Sequence, residues 1–449
     1  MIKNEKLVPK ISVDELKKKT IGFISLGCDK NRVDLEKIIY KCKDFGFTIV
    51  NNPKDANIIV VNTCSFIESA RKESIESILE MAGYKNIVTE KLIVTGCINE
   101  MNYTDLADSL PEVDMFVSIK DNEEIVAKIA SLYGIALTHN PYQYGRVLTT
   151  AKHYAYLKIA DGCNNFCTYC TIPYIRGRFK STPIEELITE AKDLVQNGAK
   201  EIILVAQDVT KYGVDIYKEK AIVKLIRELS NIEGLDWIRL LYCYPEQLDD
   251  ALIAEIRDNP KVCKYVDMPL QHISNDILKA MNRKSSKQYI LDLITKLRKE
   301  IPNIVIRSTF ILGFPGETED HFKELCEFVQ EYKLDNVGFF TYSKEEGTPA
   351  YKFNNQVPED VKKQRLKTIS SLQYEVVRKI HTDMLDKDYL VVVDNKNSKC
   401  AICRYYGQCP DVDSVILVDN HENMQVGNYY TITIKNLKNY DFKGENKYV

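Results

Sequence analysis

Short apolar runs and helical spacings alternate along the first third of this chain. Runs at 21–26, 58–61, 92–94 and 115–117 read as strands, and segments between them, such as 33–45 and 69–81, carry apolar residues at helical spacing. That alternation predicts an α/β domain with a parallel sheet over residues 20–138. Residues 1–19 form a lysine-rich extension before it, and the polar stretch 139–152 reads as a linker. A longer series follows at 153–357, with strands at 155–159, 202–205, 238–241, 265–268, 304–312 and 337–341. Helical patterns separate them, for example at 184–196, 221–229, 248–256 and 319–331. Six β/α units suffice for a partial (β/α)6 barrel and fall short of the eight of a closed one. A charged helix at 358–385 leads to strand-like runs at 389–393, 415–418 and 429–434, broken by Asp, Asn and Gly. A small β-barrel over 386–449 is the natural expectation.

Composition narrows the class. With 45% hydrophobic and 28% charged residues, the 449-residue chain is a multidomain globular protein and not a disordered one. A net charge of -3 gives no global attraction to nucleic acid. No secretory signal precedes the first domain, and no apolar run approaches the ~20 residues of a membrane helix. The expected setting is a soluble, cytoplasmic one with no membrane partner. Thirteen cysteines in such a chain point to metal or catalytic thiols in preference to disulfides.

Cys163-Asn164-Asn165-Phe166-Cys167-Thr168-Tyr169-Cys170 follows the first strand of the second series. Closely spaced thiolates can wrap one four-iron cluster, and three of them leave one iron open for chemistry. A structural zinc site would want a fourth ligand, and none lies nearby in the sequence. Cys28, Cys64 and Cys97 are distant in sequence but equivalent in place, each ending a strand of the first series. Successive strand ends of a parallel sheet converge on one crevice, so these three thiols should meet there. Gly27 and Gly96 would leave room beside them. His272 follows the fourth barrel strand, where a structural hydrogen bond is its commoner fate. Cys42, Cys243, Cys263 and Cys326 lie within helical or strand patterns and read as small hydrophobes. Cys400, Cys403 and Cys409 lie close together, but no fourth metal ligand is evident.

The C-x3-C-x2-C spacing, with Tyr169 before the last cysteine, resembles the radical S-adenosylmethionine (SAM) signature. The resemblance implies that Cys163, Cys167 and Cys170 hold a cluster whose open iron chelates SAM. It also implies Tyr169 against the adenine, Gln207 at the SAM amino group, and Gly313 and Gly316 where backbone approaches the nucleoside. An ordinary strand-to-helix turn is the other reading of those glycines. Two three-cysteine sets followed by a small β-barrel resemble the methylthiotransferases along nearly the whole chain, the barrel being TRAM-like. That likeness implies two 4Fe–4S clusters, with Cys28, Cys64 and Cys97 holding the one that presents sulfur. It further implies an external electron donor of flavodoxin or ferredoxin type and a sulfur donor.

Ser25-Leu26-Gly27-Cys28-Asp29-Lys30-Asn31 and Ala206-Gln207-Asp208-Val209-Thr210-Lys211-Tyr212-Gly213 resemble the branch that β-methylthiolates an aspartate of ribosomal small-subunit protein S-twelve. The alternative branch acts on tRNA adenosine. Between Asp383 and Lys447 stand ten acidic and eight basic residues, with Asp411, Asp413 and Asp419 close together. A barrel gripping tRNA should be basic, so this balance suits a basic ribosomal protein better, unless the carboxylates are simply solvated surface.

Overall fold

The computed structural model describes residues 11–100, 106–137 and 145–447. The first ten residues of the extension and part of the expected linker therefore lie outside the described residues. The chain divides into two compact units, residues 1–149 with 171–178, and residues 150–170 with 179–449.

In the first unit five parallel strands run in the order β2-β1-β3-β4-β5: β1 Thr20–Ser25, β2 Thr48–Ile49, β3 Ile58–Thr63, β4 Lys91–Gly96 and β5 Met115–Phe116. β3 is buried at all six positions, as suits a strand at the centre of a sheet covered on both faces. Its side chains alternate between two cores. Ile58 and Val60 pack with Leu35, Ile38 and Cys42 of the helix Asp29–Phe45, while Ile59 and Val61 pack with Ile78 and Met81 of the helix Glu68–Ala82. β2 has two residues, too few for periodicity to reveal, and pairs only at the edge. Because β1, β3 and β4 are neighbours in register, their carboxyl ends lie side by side.

The second unit contains six parallel strands in sequential order: β6 Tyr154–Lys158, β9 Glu201–Val205, β10 Trp237–Leu240, β11 Val262–Asp267, β12 Val305–Leu312 and β13 Asn336–Thr341. β6 and β13 form the two edges of the sheet, which makes this an open barrel of the expected size. A short antiparallel pair, β7 Ala160–Asp161 with β8 Lys180–Ser181, brackets the cysteine loop. Strands β14 Asp388–Lys396, β15 Ala401–Tyr405, β16 Ile416–Val418, β17 Tyr429–Lys438 and β18 Asp441–Asn446 close into a barrel. β15 and β18 escaped the sequence reading. β15 hides Cys403 and Arg404 in an interior that looks like loop chemistry, and β18 has only Phe442 and Gly444 buried among polar residues.

A buried polar network joins this small barrel to the six-stranded sheet. Glu201 Oε1 accepts from Arg239 at 2.7 Å, and Glu201 pairs with Arg404 at 2.5 Å. Arg404 also meets Asp394 at 2.8 Å, and Asp394 meets His153 at 2.7 Å. Burial works to raise the Glu201 pKa, yet the two guanidiniums hold it below the ordinary carboxylate value. Asp413 belongs to the same interface. It accepts from the Tyr265 hydroxyl at 2.8 Å, and its side chain is 2% exposed beside Arg307.

That location takes one carboxylate out of the charge argument, as burial of Arg404 takes out one base. Of the three clustered aspartates, Asp413 is spent inside the fold and Asp411 accepts from the Tyr154 hydroxyl at 3.2 Å. Asp411 and Asp419 are both exposed, and Lys443 stands 3.5 Å from Asp419. Cys403 and Cys409 are buried packing residues, as are Cys42, Cys243 and Cys263, whereas Cys326 and Cys400 are partly exposed. Among the described residues no helix is long and apolar enough to cross a membrane.

Candidate active site

The loop carrying Cys163, Cys167 and Cys170 leaves the β6 end of the sheet, where a strand of a β/α barrel delivers its functional groups. Its shape is imposed by side chains from elsewhere in the second unit. Asn282 Nδ2 donates to the carbonyls of Asn165 at 3.2 Å and Phe166 at 2.9 Å. Phe166 there adopts a left-handed φ of 49°. Asn165 Nδ2 donates to Asp208 at 3.1 Å, and Lys211 donates to Asn165 Oδ1. Thr168 is held through its N–H by Met281 O at 3.1 Å and through its hydroxyl by Ala280 O at 2.8 Å. Cys170 N donates to Cys167 O at 3.0 Å, closing a turn between the last two cysteines.

Cys167 has two neighbours that the sequence did not announce. The Tyr244 hydroxyl lies 3.7 Å from its sulfur, and Arg283 Nη1 lies 4.0 Å from it while the guanidinium stacks on Tyr244 at 4.3 Å. Arg283 is 6% exposed and its Nε is buried without a partner. A buried cation calls for an anion, and a thiolate-ligated cluster would provide one. Burial pushes the Cys163 thiol above its ordinary pKa, so ionisation there requires a metal or a cation at hand.

Of the residues expected around SAM, Gln207 carries the clearest signal. Its Nε2 donates to Asp161 at 3.2 Å, which fixes the amide, and its Oε1 is buried with no donor. An ammonium group would satisfy that oxygen. Tyr169 packs against the cluster of Ile277, Met281, Phe314, Tyr342 and Ala350. Gly313 and Gly316 have φ of 68° and 91°, and a Cβ there would strike Lys362 at 2.3 Å or Asn355 at 2.6 Å. Crowding from the fold itself therefore accounts for both glycines. His272 is fully buried, with Nδ1 accepting from Ser274 N at 3.0 Å and Nε2 3.5 Å from Glu317, a structural placement.

The first unit brings Cys28, Cys64 and Cys97 together at the ends of β1, β3 and β4. Cys28 is the N-cap of the helix Asp29–Phe45, and Cys97 opens a short turn through Glu100. Cys28 and Cys64 both lie near enough to act on the Cys97 thiol, and Cys28 on that of Cys64. Burial pushes Cys97 up to about 12, and Cys64 is raised for the same reason. Ser74 Oγ clamps the Cys64 backbone, accepting from its N–H at 3.1 Å and donating to its carbonyl at 2.8 Å. Asn31 Nδ2 donates to Leu26 O at 3.1 Å and Thr63 O at 2.8 Å, tying the ends of β1 and β3. Its Oδ1 is thereby turned toward Cys97, whose sulfur lies 3.6 Å away.

The glycines do not leave the free room expected of them. A Cβ on Gly27 would sit 2.7 Å from the Cβ of Cys64, and one on Gly96 would sit 2.4 Å from Thr63 O. They let neighbouring strand ends approach, which is how the thiols come to meet. Among the described residues no three His, Cys, Asp or Glu side chains close on one point as they would around a single ion. Two sets of three thiols, each without a fourth ligand, fit a polynuclear group with one corner left open.

Family models match in the same three blocks: the radical SAM superfamily over residues 157–329, Uncharacterized protein family UPF0004 over 20–118, and the TRAM domain over 387–446. The chain is 48% identical over 435 residues to the ribosomal protein uS12 methylthiotransferase RimO of Clostridium novyi, covering 94% of this chain and 97% of that one. The protein of that name from Clostridium tetani is 47% identical, with 94% and 97% covered. The one from Acetivibrio thermocellus is 44% identical, with 95% and 98% covered. Among solved structures, the radical S-adenosylmethionine methyltransferase TsrM of Kitasatospora setae shares the fold, with a TM-score of 0.51, 13% identity and 74% of each chain covered.

Fold and site define a radical SAM transferase, a class that works with SAM and a 4Fe–4S cluster. Within that class the chain belongs to the RimO family of ribosomal protein uS12 methylthiotransferases.

Proposed function

We propose that this protein methylthiolates the β-carbon of an aspartate in ribosomal protein uS12, using a 4Fe–4S cluster at each cysteine triplet. The observation that carries the reading is the pair of three-thiol sites, one in a barrel loop and one at three adjacent strand ends. When bound, the group at Cys163, Cys167 and Cys170 supplies, with SAM, a 5′-deoxyadenosyl radical for hydrogen abstraction, and the one at Cys28, Cys64 and Cys97 supplies sulfur.

The protein's own part is binding and orientation. Gln207 accepts from the SAM ammonium through the oxygen that is otherwise orphaned, with Asp161 keeping the amide from turning over. Tyr169 offers the adenine a wall from an apolar cluster. Arg283 sets positive charge beside Cys167 in a site with little water. Electrons come from a flavodoxin- or ferredoxin-like donor, and the inserted sulfur is replenished by a separate donor.

The relatives' shared name favours uS12 over tRNA as the substrate. The barrel's charge is a weaker support: the buried Asp413 and Arg404 cancel, and the surface keeps its slight acidic excess. The test is incubation of the reconstituted enzyme with SAM and reductant, offering uS12 or tRNA. One methylthio group on a uS12 aspartate is expected. The same increment on tRNA, with none on uS12, would reverse the assignment.

A further inference from the structure

We propose that Arg176 is a positioning residue of the Cys28, Cys64 and Cys97 site, supplying the hydrogen-bond donor and positive charge that its thiolates need. The inference rests on the reading of that site as a cluster site. Arg176 lies six residues beyond Cys170 in sequence, yet the segment 171–178 belongs to the first compact unit.

Its guanidinium is 1% exposed. Nη1 donates to Asp34 Oδ2 at 3.0 Å, and Nη2 donates to Asn31 Oδ1. Asn31 Oδ1 is the same atom that faces the Cys97 thiol. Two backbone carbonyls hold the other end of that amide, so Asn31 cannot turn to offer a donor instead.

Metal binding removes the thiol proton and leaves a buried thiolate where an S–H had been donating. A thiolate needs donors, and the guanidinium is the group placed to give them. The fork meets Asp34 and Asn31 with separate nitrogens, while the positive charge beside the sulfurs is the part that an ammonium at the same place would largely restore. Hydrogen bonds and net charge around the sulfurs set the reduction potential of an iron–sulfur cluster. Removing a cation beside an anionic group disfavours the reduced, more negative state.

The experiment uses the full chain with Cys163, Cys167 and Cys170 replaced by alanine, so that one cluster is observed. After reconstitution with iron and sulfide, iron content and midpoint potential are measured for Arg176→Met, Arg176→Lys and Asp34→Asn. Arg176→Met should lower the potential or shed iron, and Arg176→Lys should recover a large part of either loss. Asp34→Asn leaves the guanidinium less neutralised and should move the potential the opposite way, upward. A merely structural salt bridge would not give opposite signs for its two partners. Potentials unchanged in both Arg176→Met and Asp34→Asn would overturn the proposal. So would equal loss of iron in Arg176→Met and Arg176→Lys. A parent that binds no iron would sink the two-cluster reading and this inference together, a result distinct from a parent that binds iron and ignores Arg176.

Discussion

The two thiol triplets reach similar ends by opposite routes. Cys163, Cys167 and Cys170 are near neighbours in sequence, but their loop owes its shape to distant residues: Asp208, Lys211, Met281 and Asn282. Cys28, Cys64 and Cys97 are distant in sequence, and the register of β1, β3 and β4 assembles them. The first is a local motif stabilised by tertiary structure. The second is tertiary structure, visible in sequence only to a reader who already expects a parallel sheet.

The sharpest way to break the comparison is to delete each triplet in turn. Two four-iron clusters would give about eight irons per chain. Alanine at Cys163, Cys167 and Cys170 should remove about half the iron and abolish SAM cleavage. Alanine at Cys28, Cys64 and Cys97 should remove the other half, abolish methylthiolation and spare SAM cleavage. If all the iron left together in either case, the two sites would be one.

A smaller effect is expected from Gln207→Leu. The substitution removes one charge-assisted hydrogen bond to SAM, roughly 1.5–3 kcal/mol. The KM for SAM should therefore rise about ten- to a hundred-fold while iron content stays at the parent value. An unchanged KM would remove Gln207 from the SAM site.

The smallest effect belongs to the sheet. Ser74→Ala deletes both hydrogen bonds on the Cys64 backbone, a loss of about 1–3 kcal/mol for buried groups left unpaired. Part of the second site's iron should be lost on dilution or chelator challenge, with SAM cleavage unaffected. Equal damage to both sites would show that Ser74 supports the fold generally.

Much of this was legible in the sequence because periodicity survives wherever a strand is buried on both faces. β3 and β9 are continuous apolar runs and fall close to where the pattern placed them. The shorter or mixed strands β2, β15 and β18 carry too little apolar signal to stand out. At the sites, cysteine spacing and strand ends identified the thiols. Arg283, Tyr244, Ser74 and Arg176 were illegible because their partners lie tens to more than a hundred residues away, or, for Ser74, across a loop with no pattern of its own. The aspartates of the small barrel failed in the other direction. Counting all three as surface was reasonable for a string of letters, and the partners of Asp413 reverse it for that one.

Those partners have a consequence for inheritance and engineering. The carboxylate of Glu201 sits on the six-stranded sheet and is answered by Arg404 from the small barrel, while Asp413 from the small barrel is answered by Tyr265 and Arg307 of the sheet. Each module thus carries half of a lock whose other half is encoded about 100 to 200 residues away. A transplanted barrel lacking counterparts of Arg404 and Asp413 would leave buried charges unanswered at a cost of several kcal/mol. Substrate range in this architecture should therefore change by surface substitution on a retained barrel more readily than by exchange of whole domains.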